Sequence, residues 1–526
     1  MKYSDPIAAK VHKDPSYPTL SGEVATKPQF IKKLTGTLGQ IDLLRPFLNP
    51  ASSLLHRTAR GTGWLALMRV GEKSMALIRT LVLARLLSPA EFGLLGIAVI
   101  AMNALDLLSV VGLKAAVIQK NRETSEDLDT VWSVLLIQAA VNTGLLCATS
   151  GLVAHFFHQP RAALLICTFA GAVLLEGFVN IGIVYFDRDL LFLKQCQFVL
   201  TPAICDLAVA LIVAYLTRSV FALVAGTIAG KIMRVTSSYL MQPYRPHFRI
   251  KKDNFSTLFR FGKWMFLSTM LQFVLFQGDN IFVGRVLGTA ALGLYSVAFS
   301  IGNLTRTDIG IILQRALFPA LARMQDDRDA GRAAYLKVSR ATTMIVMPIS
   351  CGIGLMASDF VHVTLGPTWL GAINALRMLS VAGLFNALMG NAAVMLRSKG
   401  DADAAALGEI WYLITGASLI YPIGRVWGIT GVAVAVAVGA MVGWLRNEAT
   451  VLKKLGFTWK NQWQAIYANI LATLMMAAVI ITLRYSMPWG WHLGALVSLP
   501  IIGIVVYIFS ILTVWRLESK FRAHFC

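Results

Sequence analysis

Apolar stretches recur along the chain from about Trp64 to Trp515, separated by short polar or glycine- and proline-bearing turns. Each stretch is near the ~20 residues a helix needs to cross a bilayer's hydrocarbon. Fourteen spans are expected, centred near residues 74, 104, 140, 175, 205, 229, 271, 303, 351, 383, 414, 436, 474 and 503. The runs are continuous rather than alternating, which predicts helices and argues against the strands of a barrel. Spans 1 and 5 are the least hydrophobic by this reading and are expected inside the bundle rather than against lipid.

One pattern occurs twice. "LARLLSPAEFGLLGIA", residues 83–98, and "VGRVLGTAALGLYSVA", residues 283–298, align without a gap. Arg85 falls on Arg285, Leu87 on Leu287, Ala90 on Ala290, Gly93 on Gly293, Leu94 on Leu294 and Ala98 on Ala298; upstream, Trp64 falls on Trp264. The two copies begin in spans 1 and 7, which share an orientation, so the halves read as parallel repeats about an axis along the membrane normal. The fold class expected is an all-α polytopic membrane protein of about 14 transmembrane helices: two parallel six-helix repeats plus two C-terminal helices. The expected divisions are a polar tail 1–60, a six-helix bundle 61–242, a basic connector 243–258, a second bundle 259–450, and two added helices with the C-terminus, 451–526.

The composition agrees with a membrane chain. Of 526 residues, 56% are hydrophobic and 14% charged, whereas a soluble domain carries about 25% charged residues. The net charge of +21 could suggest nucleic acid, but its placement speaks for topology. The segments after spans 6, 8 and 12 hold eight, six and four Lys or Arg, while "DFVHVTLGPTWLG" holds none and "YPIGRVWG" and "RYSMPWGWH" one each. Every strongly basic loop follows an even-numbered span, which puts both termini in the cytoplasm. No nucleic-acid partner is expected.

Six cysteines (147, 167, 196, 205, 351 and 526) lack metal-ligand spacing and read as packing residues. His155 and His158 in "HFFHQP" stand at i, i+3, yet two histidines in an interhelical loop are a poor metal signal; neither metal nor cofactor is expected. The polar start of the chain shows no apolar segment followed by a cleavage site, so no removable signal is expected. No loop on the outer side is long enough for a catalytic domain. There is no Walker A motif, no D-x-D pair in a soluble domain and no recognisable Ser/His/Asp set, which argues against a polymerase, a ligase or an ATPase.

Turn chemistry alone would explain part of the repeat: Gly93 and Gly293 permit tight helix starts, Pro89 marks one, and Arg85 and Arg285 can snorkel to the interface. It does not explain Arg79, Asp279 or Asp106, which lie deeper. Other ionisable groups expected within the membrane are Glu176, Asp206, Lys114, Arg306, Asp308 and Glu409. Such groups mark transport paths or pair within the bundle. Asp106 and Asp308 are the candidates for binding a coupling ion.

Two stretches, "VLARLLSPAEFGLLGIAVIAMNALDLLSVVGLKAAVIQK" and "FRFGKWMFLSTMLQFVLFQGDNIFVGRVLGTAALGLYSVAFSIGNL", resemble the Wzx-type polysaccharide and lipopolysaccharide flippases. These form the polysaccharide transporter family of the multidrug/oligosaccharidyl-lipid/polysaccharide superfamily. The likeness extends over residues 60 to 515 and is greatest to the colanic-acid and lipopolysaccharide exporter branch. It implies a multi-pass protein of the bacterial inner membrane that flips a polyprenyl-diphosphate-linked oligosaccharide by alternating access of a basic central cavity. A polysaccharide polymerase and a chain-length regulator would be partners. A drug or metabolite antiporter of the same superfamily is the alternative. Lipid II flippases of this superfamily carry two arginines six residues apart in the first span, and Arg79 and Arg85 stand at that spacing; where an acidic residue often follows the first arginine, this chain has Thr80. Arginine's planar, permanently charged fork suits a diphosphate, which makes Arg79, Arg85 and Arg306 the substrate-binding candidates. The repeat equivalent of Arg79 is Asp279, so the two are expected to face each other as a charge latch between the halves.

Overall fold

A backbone in hydrocarbon must satisfy its own hydrogen bonds, and a helix does so along its whole length. The computed structural model describes residues 54–106, 125–189, 191–249, 273–304, 328–488 and 491–525, with no strand among them. The chain divides into two units, Met1–Ala66 and Leu67–Cys526. Of the first, the described residues 54–66 are helical, so helix begins inside the polar tail expected to reach residue 60.

The N-terminal half comprises α1 (Leu54–Leu86), α2 (Pro89–Asp106), α3 (Ser125–Phe156), α4 (Arg161–Gly177), the short α5 (Val184–Arg188), α6 (Phe192–Thr217) and α7 (Phe221–Met241). In the C-terminal half, α8 (residues 273–282) runs into a π-helical turn, Val283–Leu287, and α9 is Thr289–Gly302. Then α10 (Arg328–Phe360) closes in a second π turn, Val361–Leu365, and a 3-10 turn, Pro367–Ala372, leads into α11 (Ile373–Ser398). The remaining helices are α12 (Ala402–Leu455), α13 (Trp459–Ser486) and α14 (His492–Phe525).

Continuous by its residue bounds, α12 is two spans folded back on each other. At Gly428 the backbone turns to φ 58°, ψ −140°, a conformation essentially confined to glycine. Beyond it the arms run antiparallel at glycine-mediated spacing. A Cβ on Gly431 would lie 2.2 Å from the Ile423 carbonyl oxygen, one on Gly439 2.9 Å from that of Tyr412, and one on Gly443 2.8 Å from that of Gly408. These arms are spans 11 and 12. Of the other expected centres, 303 falls on the residue that ends α9, 271 lies outside the described residues, as does Trp264, and the rest fall within helices.

Among the described residues, seven helices are long and apolar enough to cross a membrane. The expectation for span 5 is overturned: α6 is among the most apolar of the seven and the least enclosed. Its polar residue, Asp206, faces α7, where Gly226 and Gly230 approach it, while Ile204, Ile212 and Leu216 point outward. Span 1 is likewise two-sided, with Leu67, Val70, Ile78 and Val82 exposed along α1. A helix can carry a polar group on the side that faces its neighbour and still leave its other side open.

After α7 the chain is extended over residues 242–249 and docked on the N-terminal half. Asn180 Nδ2 donates to the Tyr244 carbonyl at 2.6 Å, and Gln242 Nε2 to that of Gly182 at 2.6 Å. The Tyr244 hydroxyl and the His247 amide both donate to Asp129 Oδ1, at 2.5 and 2.8 Å. Burial, and then the Asp129 carboxylate, push the Tyr244 phenol up from its ordinary range, so it stays a donor at any physiological pH. Helices α13 and α14 dock on α10: Asn469 Nδ2 donates to the Arg340 carbonyl (2.8 Å) and to Thr343 Oγ1 (2.7 Å), and the Tyr507 hydroxyl to the Met344 carbonyl (2.8 Å).

Replacing Gly428 by alanine forces a side chain into the φ 58° turn, and a strained residue of this kind costs about 1–3 kcal/mol. The purified Gly428→Ala protein should unfold several degrees earlier in a detergent thermal-stability assay, whereas Gly352→Ala, where a Cβ meets nothing within 4 Å, should not.

Candidate functional site

The repeated segment forms the seam between the halves. Helices α2 and α9 cross there at backbone contact. A Cβ on Gly93 would sit 1.8 Å from the Thr289 carbonyl oxygen, and one on Gly293 1.8 Å from the Pro89 carbonyl oxygen. Residue 89 corresponds to 289 and residue 93 to 293, so one contact is made twice about a local two-fold axis. In lipid, helices gain little from burying apolar surface and associate by close packing, which glycine permits. The repeated glycines therefore serve the crossing itself, beyond easing helix starts.

The repeated arginines reach across the same seam. Arg85, near the end of α1, donates from Nε to the Thr364 carbonyl at 3.0 Å and from Nη2 to the Val363 carbonyl, both on the π turn that ends α10. Arg285, in the π turn that follows α8, lies against the His158 ring just beyond α3, 3.0 Å from Nδ1, and 5.3 Å over the ring of Phe156, which ends α3. "HFFHQP" at 155–160 and "HVTLGP" at 362–367 occupy equivalent hairpins. Each half thus holds the other's hairpin with its own arginine. Trp369 completes the seam: fully buried, it donates from Nε1 to the Ala84 carbonyl at 2.7 Å and meets Phe92 edge-on, with ring centres 5.2 Å apart.

Away from the seam, one face of α7 carries a polar ladder of Thr227 and the cations Lys231 and Arg234. The spacing i, i+4, i+7 puts all three on one side of a helix. Arg79 pairs through Nη1 with Asp206 Oδ2 of α6, and its Nη2 lies 3.4 Å from Thr227 Oγ1. Lys231 Nζ lies 2.7 Å from Glu176 Oε2 of α4, and Arg234 Nε 3.5 Å from its Oε1. Gly226 and Gly230 make room: a Cβ on either would fall 2.6 Å from Asp206 Oδ1 or 2.9 Å from Asp206 Cβ. Asp206 Oδ1 is buried and accepts no hydrogen bond from the protein. Three cations stand over two carboxylates, and each remains partly open, Arg79 at 20% and Lys231 at 33% exposure.

Arg79 meets Asp206 of its own half, not Asp279. Asp279 is buried in the C-terminal half, where it accepts from the Tyr295 hydroxyl of α9 at 2.8 Å. The physical reason is proximity within one bundle: the carboxylate of α6, given space by two glycines, meets the guanidinium before any group of the other half can. Asp106 ends α2, and its side chain lies outside the described residues, as do Lys114, Arg306 and Asp308. Glu409 lies 4.0 Å from Arg397 near the far end of the C-terminal half.

Comparison with known proteins adds what geometry alone does not. The family described as "Polysaccharide biosynthesis protein" matches residues 82–374, more than half of the chain. The chain belongs to this family. Its relatives include the succinoglycan biosynthesis transport protein ExoT of Rhizobium meliloti (strain 1021), 25% identical over 61% of this chain and 65% of that protein. The lipopolysaccharide biosynthesis protein WzxC of Escherichia coli (strain K12) is 23% identical over 82% of this chain and 89% of its own length. Among solved structures, the lipid II flippase MurJ in an inward closed conformation superposes with a TM-score of 0.65 at 14% identity, over 86% of this chain and all of that one. A multidrug-resistance MATE family transporter in an inward-facing conformation gives 0.58 at 15% identity, over 73% and 95%. These likenesses place the fold among polytopic transporters.

Sequence reading of this family member missed several site residues. Arg377 stands exposed near the start of α11, donating to Asn374 Oδ1 at 3.2 Å; a lone arginine inside span 10 was the available signal. Lys231 and Arg234 were counted as loop charges, whereas α7 continues to Met241. At the end of the C-terminal half opposite the seam, a cavity of about 560 Å³ is lined by Arg328, Lys399, Asp401 and Lys454 over an apolar floor.

Because no side chain fits at the seam crossing, Gly93→Ala and Gly293→Ala should each push α2 and α9 apart. Overpacking costs about 1–3 kcal/mol, so each variant should lose thermal stability, and a cysteine placed at buried Leu292, across from Gly96, should become reactive to thiol reagents.

Proposed function

We propose that this chain moves a polyprenyl-diphosphate-linked oligosaccharide from the inner to the outer leaflet of a bacterial inner membrane. The observation that carries the reading is the ladder on α7, an excess of cations partly open within a bundle of the polysaccharide biosynthesis family. A lipid tail can stay in the bilayer, but a diphosphate cannot enter hydrocarbon without groups that replace its water. Arg79 offers a planar fork, and Lys231 and Arg234 lie one and two turns further along α7. The described start of the connector, with Arg245 and Arg249, lies at the opposite pole from the seam, so the positive-inside rule puts that end in the cytoplasm and the seam outside. The structure is then closed outward. Alternating access follows from rocking the halves about the α2–α9 crossing.

Asp206 takes the role first assigned to Asp279. It occupies Arg79 while no substrate is bound, and a diphosphate competes for the same guanidinium. Displaced, Asp206 becomes a buried carboxylate without its partner, a costly state. That cost biases the N-terminal half toward a different arrangement.

The test uses a deletion strain complemented with variants, reading which leaflet exposes the lipid-linked oligosaccharide to an impermeant oxidant. Arg79→Gln should lower the outward-exposed fraction by roughly tenfold or more, equivalent to about 1.4 kcal/mol, and Arg79→Lys should restore part of it. Asp206→Asn should bind the diphosphate lipid more tightly while turning over more slowly. Full transport by Arg79→Gln together with Lys231→Gln would refute the reading.

A further inference from the structure

The turn gripped by Arg85 is also held from its other side. On that turn His362 stacks on His492 of α14, ring centres 4.2 Å apart and planes within 5°. Just before it, buried Asp359 takes Arg484 of α13: Nε is 3.1 Å from each oxygen and an Nη 2.9 Å from Oδ1. His492 Nδ1 lies 2.6 Å from the same Oδ1. His362 Nδ1 lies 2.8 Å from the Ser358 carbonyl oxygen. The C-terminal helix pair therefore reaches the seam through this cluster.

The partners fix the protons. A carbonyl can only accept, so Nδ1 of His362 carries hydrogen and donates; at His492 the Asp359 oxygen at 2.6 Å prevails over Arg484 Nη2, 3.3 Å from the same nitrogen, so that Nδ1 donates as well. Any further proton must go to Nε2. With both rings neutral, Asp359 balances Arg484. With both charged, Arg484 and two imidazoliums share a single carboxylate, and two parallel like-charged rings lie in contact. Two like charges in contact repel, so loading both rings favours their separation. The 3-10 turn Pro367–Ala372, which follows, brings no ionisable side chain.

We propose that His362 and His492, set by Asp359 and Arg484, form a proton-binding site that opens the outer seam when loaded. Uptake parts the stacked rings, frees the turn Val361–Leu365 from α14, and carries away the carbonyls that Arg85 holds. The closed seam binds fewer protons than the open one. It is therefore favoured at higher pH and lost as pH falls. The direction of loading, from outside, rests on the sidedness proposed above; the chemistry of the site does not.

The experiment uses the full chain in lipid nanodiscs, with native cysteines replaced, and compares labelling of Leu292→Cys by a charged maleimide with that of exposed Ser88→Cys. The ratio corrects for the reagent's own pH dependence. It should rise several-fold as pH falls from about 8 to 5, and the double variant His362→Gln/His492→Gln should hold it low and flat. If that variant does not fold, His362→Gln alone, which keeps the His492–Asp359 bond, should still flatten the slope. A flat ratio in the parent, or an unchanged slope in the histidine variants, overturns the proposal. No lipid-linked sugar enters this assay. A pH-dependent seam in a protein that flips nothing would therefore leave the proton site standing and remove the flippase reading, and the converse result would do the opposite.

Discussion

Two helices can touch inside a membrane only as closely as their side chains allow, and at the α2–α9 crossing that limit is set by hydrogen atoms. Gly93 against Thr289 and Gly293 against Pro89 bring the halves to backbone contact at one place. The other features of the seam depend on this distance. Arg85 and Arg285 are long enough to span to the opposite hairpins because the helices that carry them end beside the crossing. Trp369 fills the wedge left where α1 and α2 diverge, and its indole N–H finds the Ala84 carbonyl that the end of α1 leaves free.

Carboxylates in this chain are held in two ways. Some answer cations: Asp206 pairs with Arg79, Glu176 with Lys231 and Asp359 with Arg484. Others accept from phenols: Asp129 from Tyr244, Asp279 from Tyr295, and Glu448 from Tyr335 at 2.6 Å. A carboxylate bonded to tyrosine keeps its bond if a nearby anion arrives, because the phenol is neutral. A carboxylate bonded to arginine does not, since the anion competes for the same donor.

Much of this was legible before any coordinates. Span positions, the internal repeat and the paired glycines follow from periodicity and alignment, because helix length and close packing leave direct marks on sequence. The partners of the charged residues did not follow. Arg79 was expected to meet Asp279 from their equivalence in the repeat, yet equivalence fixes only which residues are related, not which are near. Asp206 could have been found from Gly226 and Gly230, a small-residue spacing with room for one carboxylate. The cluster of Asp359, Arg484 and His492 was invisible for a different reason: its members lie at span ends and come together only when α13 and α14 dock on α10.

The two arginine grips differ in what they grasp. Arg85 holds main-chain oxygens, which every residue type presents alike, whereas Arg285 rests on the imidazole of His158 and the ring of Phe156. Residues 363 and 364 can therefore be exchanged so long as the turn keeps its shape, whereas altering 156, 158 or 285 removes a contact that depends on the side chain itself.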